Sequence, residues 1–358
     1  MGHQAADPEA GKPNLLRERL VLAIGILASV AILAYLILNH LAALLRVGER
    51  IDWRFAAAAV ASAAGSYVMV GMVLREVLAM LGYRLPFAEV LGIALVGNTA
   101  NYFLSSAGLS GFALKAHLLR KRHVPYATTV SAAVVGSVIL YLVLAVILGE
   151  GLAYLILHLE GTRIAIMEGA FGLAVLLGTA AGLLVFLIHR GFRGRLTRHL
   201  FHLLNGAAYM FSQREIPREE FEDFEAQVSL GLERLRGSRR GLVKTIVFTC
   251  FDWGLALLTL YFGFKAVGVS LSVGHLSAGF AVGQGATLIP ILPGGLGAVE
   301  GSMAAVFESL GIGWEEALVA VLLYRIAYFA LPGMVSVFVL WGLKISEPGR
   351  LDGGWRKT

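Results

Sequence analysis

Charge is scarce in this chain. Only 15% of its 358 residues are Asp, Glu, Lys or Arg and 57% are hydrophobic, whereas soluble domains carry roughly 25% charged residues. That balance excludes an ordinary soluble globule. Cysteine is scarcer still. The single Cys250 excludes an intrachain disulfide framework and a paired-cysteine metal site. There is no GxxxxGK[ST] phosphate loop and no HExxH helix. The histidines are scattered, and His199 and His202 stand without a cluster. The longest polar stretch, about 50 residues, is too short for a separate catalytic domain. No enzymatic activity, cofactor or metal is therefore expected. The net charge of +6 is read as basic cytoplasmic loops and not as a nucleic-acid surface.

What the chain has is long apolar runs. Runs of about 20 residues fit the hydrocarbon core of a bilayer. Six read as spans: Leu20–Leu45, Phe55–Leu81, Tyr126–Leu148, Ile164–Ile188, Leu242–Val267 and Ala317–Leu343. The first is too long for a signal-peptide core and reads as a retained span. Shorter runs come in two pairs, Phe87–Leu104 with Leu109–Leu119 and Leu276–Leu292 with Leu296–Leu310. Each pair is parted by a Gly-rich break. The expected fold is an all-α polytopic membrane protein with inverted repeats, about six full spans and two re-entrant hairpins. Its expected divisions are an N-terminal tail (1–19), a first transmembrane half (20–189, re-entrant over 87–119), a cytoplasmic amphipathic segment (190–240), a second half (241–343, re-entrant over 276–310) and a tail (344–358). Within 190–240, Phe221, Phe224, Val228 and Leu232 fall near helical spacing.

An internal repeat supports the two halves. GYRLPFAEVLGIALVGNTANYFLSSAGLSG from Gly82 lies over GVSLSVGHLSAGFAVGQGATLIPILPGGLG from Gly268. Gly82 meets Gly268, Leu85 meets Leu271, Gly97 meets Gly283 and Asn98 meets Gln284. With one-residue slips, VPY before one span matches IGW before the other. Basic clusters before Leu20, at Arg120–His123, across 190–244 and after Leu343 fall on one side if both broken pairs are re-entrant. Both termini are then cytoplasmic. An odd number of spans between the copies inverts one against the other, so the hairpins enter from opposite sides and meet near the midplane.

The second break carries the chemistry. In GQGATLIPILPGGLGAVEG, Pro290 and Pro293 each remove a backbone donor, and Gly294, Gly295 and Gly297 follow. A helix is expected to stop near Ile289 and another to begin near Leu296. Glu300 then lies in the first turn of the second helix. Tyr324 and Arg325 lie in the next apolar run. A lone acid or base in hydrocarbon costs several kcal/mol, so the two are expected to face one polar cavity; whether they also pair is open, and the structural alternative is a buried ion pair that holds two helices in register. Asp252 has no charge within four residues and needs a partner from another helix. It is a candidate proton carrier or a hydrogen-bonded structural acid. Lys115 follows the first break. Helix starts there offer free N–H groups to an anion. Asn98, Asn101 and Gln284 can satisfy freed backbone groups or touch a headgroup.

PGGLGAVEG followed by LLYRIAYFALPG resembles the family of the lysylphosphatidylglycerol synthase/flippase transmembrane region, and NTANYFLSSAGLSGFALKAHLL resembles its first-half counterpart. The resemblance runs from about Leu20 to Leu343. It implies that Glu300, Arg325 and Asp252 line a lipid path, with Lys115 as the basic residue of the first half. It implies transport of a phospholipid, anionic or aminoacylated, between leaflets of the bacterial inner membrane. No synthase domain follows the last span in this sequence, so lipid aminoacylation is not implied. The reading leaves room for a separate lipid-modifying enzyme as partner and for a homodimer. The alternatives are a secondary transporter of a small soluble solute, a membrane-embedded enzyme on lipid-linked sugars, and a non-catalytic subunit of a lipid-linked glycan or lipid-modifying system.

Overall fold

The protein is an all-α polytopic membrane protein, seen here in a computed structural model. It describes residues 40–103, 109–158, 163–189, 218–287 and 293–345, with isolated positions near 35 and 192. The expected first span before residue 40, the first break, Pro290 and both tails lie largely or wholly outside the described residues. Twelve α-helices are described: α1 (Leu41–Gly48), α2 (Trp53–Met80), α3 (Phe87–Phe103), α4 (Leu109–Arg120), α5 (Tyr126–His158), α6 (Arg163–Ile188), α7 (Arg218–Gly237), α8 (Arg239–Ala266), α9 (Val273–Ala286), α10 (Ala298–Ser309), α11 (Trp314–Arg325) and α12 (Leu331–Ile345). A 3-10 turn (Pro293–Gly295) precedes α10, and a π-turn (Ile326–Ala330) joins α11 to α12. Among the described residues, four helical stretches are long and apolar enough to cross a membrane: α2, α5, α8 and the α11–α12 continuum.

The repeat appears as geometry. Helices α2 and α8 are each 28 residues long. Each ends in the same cap, with Gly82 at φ 92° and Gly268 at φ 83°. In that cap the next residue's N–H reaches back a full turn, Tyr83 to Leu78 and Val269 to Phe264. The two helices pack against each other antiparallel. Phe55 stacks on Phe262, Ser66 meets Asp252, and Lys244 pairs with Glu76 at 3.3 Å. Ser66 and Asp252 are 186 residues apart, the spacing of Gly82 and Gly268. Equivalent positions therefore touch where the helices cross, which puts the pseudo-two-fold axis of the halves at that contact.

After each cap comes a helical hairpin. In the first, α3 and α4 run antiparallel: Lys115 Nζ donates to Asn98 Oδ1 at 2.8 Å, and Gly111 N–H donates to Asn101 Oδ1 at 2.8 Å. In the second, Phe307 packs on Gly279 and Met303 on Gly283. The arms of the second hairpin have 14 and 12 residues, or about 18–21 Å of helix, short of a ~30 Å hydrocarbon core. Small side chains let α9 sink into the interior, and Gly151 of α5 abuts the Ser277 carbonyl. That packing also explains why α5 runs on to His158, past the expected end at Leu148 and through Gly149 and Gly151.

A third shared element closes each hairpin. Val124 N–H bonds the Leu119 carbonyl, and Ile312 N–H bonds that of Phe307. The pivot residues are His123 at φ 60° and Gly311 at φ 88°. A non-glycine residue in the left-handed region is strained by about 1–2 kcal/mol. His123→Gly is therefore expected to stabilise the protein by about 1 kcal/mol, read as a higher unfolding temperature in detergent. An unchanged or lower temperature would contradict it.

The amphipathic segment forms α7. Its apolar face (Val228, Leu232, Leu235) is buried against α5 and the end of α2, with Leu81 and Ala127 in the same cluster. That face thus packs on the protein itself.

Candidate functional site

The site lies where the second hairpin meets the last span. Helix α9 ends at Ala286, three residues short of the expected Ile289, with Thr287 as its C-cap and the Thr287 hydroxyl on the Gln284 carbonyl. Its partner α10 begins at Ala298, two residues later than expected. Gly294, Gly295 and Gly297 all have positive φ (59°, 66° and 84°). Only glycine adopts such a run without strain, so this sequence bends where others would stay helical.

Glu300 and Arg325 meet. Glu300 is 1% exposed and Arg325 6%. Arg325 Nε donates to Glu300 Oε1 at 2.6 Å, and Arg325 Nη2 donates to the Gly294 carbonyl at 2.6 Å. The other carboxylate oxygen of Glu300 accepts from Gly297 N–H at 2.7 Å. The amino end of α10, expected to face an anion, is thus occupied by its own Glu300. One face of the guanidinium covers the Phe329 ring at 4.2 Å. Its Nη1 is buried with no hydrogen-bond partner among the described residues. A guanidinium carries five N–H donors, so the site holds an unfilled cationic donor.

The first hairpin reaches the same place. The Tyr102 carbonyl lies against Gly294, and the Tyr102 ring meets Phe329 edge-on at 4.5 Å. Lys115 stays within its own hairpin: its stem covers Gly97 and its ammonium bonds Asn98. Asn101 caps the start of α4 through Gly111 N–H. Gln284 is half-buried on the last turn of α9.

Asp252, 6% exposed, finds a hydroxyl and not a cation. Ser66 Oγ donates to Asp252 Oδ1 and lies 2.9 Å from Tyr328 Oη. Tyr67 Oη donates to the Tyr328 carbonyl at 3.0 Å. The cause lies in Pro332. It has no N–H for the carbonyl four residues back, that of Tyr328. The helix widens into the π-turn, and Tyr67 takes the freed carbonyl. Tyr324 and Tyr328 stack at 5.6 Å. Tyr102 and Tyr324 lie within electrostatic reach of both Asp252 and Arg325.

Ser66, Tyr67, Tyr102, Tyr328 and Phe329 were not singled out from the sequence. Two signals were available. Ser66 sits at the repeat equivalent of Asp252, and Pro332 follows Tyr328 at the spacing that breaks a helix. Among the described residues, no group of three or more His, Cys, Asp or Glu could hold a metal ion.

The chain matches the family described as the lysylphosphatidylglycerol synthase TM region over residues 21–336. A phosphatidylglycerol lysyltransferase of Staphylococcus epidermidis is 32% identical over 104 residues, 29% of this chain and 12% of that protein. One from Staphylococcus aureus is 33% identical over 99 residues, 28% of this chain and again 12% of the relative. The similarity to these curated relatives thus covers a small part of their length. The family match spans both hairpins, both capped helices of the repeat and the Glu300–Arg325 pair. This chain therefore belongs to the family of the lysylphosphatidylglycerol synthase transmembrane region.

Proposed function

We propose that this protein moves a glycerophospholipid headgroup, anionic or aminoacylated, between the leaflets of the bacterial cytoplasmic membrane. The reading rests above all on Arg325 Nη1, a buried donor at the junction of the two hairpins that has no partner among the described residues. A phosphate oxygen suits a guanidinium fork. A phosphate arriving there also competes with Glu300 for the guanidinium and for Gly297 N–H. Glu300 acts as a plug that the headgroup displaces, then holds a cationic part of it or a proton. Gly294, Gly295 and Gly297 bring backbone close to the phosphate. Tyr324 and Gln284 stand on the wall, and Asn98 with Lys115 forms a second polar station in the first hairpin. Acyl chains stay in the bilayer. The relatives are named for phosphatidylglycerol, which favours a glycerophospholipid over a soluble solute. Both hairpins are read as re-entrant from opposite sides, with both chain termini cytoplasmic.

The test is translocation of headgroup-labelled phosphatidylglycerol in proteoliposomes, read by a membrane-impermeant quencher. Wild type is expected to expose the inner-leaflet label, and Glu300→Gln to fall to the protein-free background. Equal rates for the two would remove the assigned site. Accumulation of a small soluble phosphoester, with no movement of lipid, would replace the lipid by a solute.

A further inference from the structure

We propose that Asp252 is a proton-binding site whose occupancy is transmitted through Ser66 and Tyr328 to the Arg325 site, so that a proton gradient drives transport. The inference rests on the transport reading above and supplies its energy source.

Two buried carboxyl groups, Glu300 and Asp252, stand out among the described residues. Glu300 is neutralised by Arg325. No ion pair among the described residues includes Asp252. Ser66 from α2 bonds it, with Tyr328 from the π-turn on the far side of that hydroxyl, and Tyr67 from α2, Tyr324 from α11 and Tyr102 from the end of α3 lie within electrostatic reach. Arg325, the cation in electrostatic reach of Tyr102 and Tyr324, is committed to Glu300 and Gly294. A carboxylate buried among neutral groups is costly, and the smallest ligand that relieves it is a proton.

The position gives that proton leverage. Asp252 and Ser66 are equivalent residues of the two halves, 186 apart, and touch on their pseudo-two-fold axis. That contact joins the two halves, so a change in it is felt by both. The Ser66 hydroxyl has one hydrogen to give and can accept in return. With Asp252 ionised, Ser66 donates to it and Tyr328 donates to Ser66. With a proton added to the carboxylate, Asp252 donates to Ser66 and Ser66 donates to Tyr328. The Tyr328 hydrogen then has lost its acceptor. No electrons move, and the proton comes from water on one side and leaves to water on the other. Tyr328 belongs to the π-turn that starts one residue after Arg325. A change in its tether loosens the turn that sets Arg325 against Glu300. A π-turn inside a helix is a frequent mark of a functional site.

The experiment uses the full chain in two arms. In proteoliposomes carrying labelled phosphatidylglycerol, an imposed pH gradient is expected to speed wild-type translocation by about fivefold or more, the lower end of typical site–site coupling. Asp252→Asn is expected to give one rate with and without the gradient, and Tyr328→Phe a reduced response. Wild type moving lipid equally with and without a gradient overturns the inference and leaves the transport reading intact. In the second arm, purified protein is followed by infrared difference spectroscopy as pH rises. Loss of a protonated-carboxyl carbonyl band, absent in Asp252→Asn and shifted in Ser66→Ala, supports the site. Absence of any such band overturns it. That arm needs no cargo, so it decides the proton site even if no labelled lipid moves and the transport reading fails. Ser66→Ala keeps the acid and serves if Asp252→Asn does not fold.

Discussion

Arg325→Ala is expected to destabilise the protein by about 3–5 kcal/mol and to abolish the proposed transport. The substitution leaves Glu300, 1% exposed, as a buried charge whose remaining described donor is Gly297 N–H. It also strips the Gly294 carbonyl of its donor. Breaking a buried pair from one side is costly because the survivor is stranded, whereas replacing both partners by neutral groups of similar volume is often close to neutral. The double variant Glu300→Gln with Arg325→Met is therefore expected to unfold near the wild-type temperature in detergent while still moving no lipid. The two effects are coupled and will not add. A single variant as stable as wild type would mean that the pair is not buried as described. A double variant transporting at the wild-type rate would reduce the pair to a structural clasp.

Gly294→Ala is expected to cause a moderate loss of stability and a complete loss of transport. At φ 59° any L-residue with a side chain is strained by about 1–2 kcal/mol. The added Cβ would also stand 2.8 Å from the Tyr102 carbonyl oxygen. That neighbour is backbone and cannot swing aside, so the two hairpins must part. The Gly294 carbonyl that holds Arg325 Nη2 moves with them. Gly136→Ala is the control. Gly136 lies within α5 with nothing within 4 Å of the added carbon, and alanine there is expected to add about 0.5–1 kcal/mol with transport unchanged. Vesicle translocation rates and thermal unfolding check both. Full transport by Gly294→Ala would show that close approach of the hairpins is not required.

Much of the architecture was legible because it depends on patterns that the bilayer enforces. Apolar runs of span length, Gly82 over Gly268 and the Pro-Gly break are all visible in one dimension. The Glu300–Arg325 meeting was legible for a related reason: two charges in hydrocarbon have few alternatives to each other. The boundaries of the break were less so. Helix α9 stops at Ala286 and not Ile289. The extension of α5 through Gly149 and Gly151 depends on packing against Ser277 of a distant helix. The inward face of α7 was readable as amphipathic, but not which surface it would cover.

The sequence alone determined that this is a membrane protein of two related halves with an acid and a base near a broken helix, because hydropathy, repeat spacing and isolated charge are properties of the chain itself. Only the tertiary structure decided what each polar group would hold. It put Ser66 on Asp252, Tyr67 on the carbonyl that Pro332 leaves free and Glu300 on the start of its own helix, and gave one donor of Arg325 no partner among the described residues. Those outcomes depend on ångström-scale approach between helices distant in sequence, set by which small residues let backbones close together.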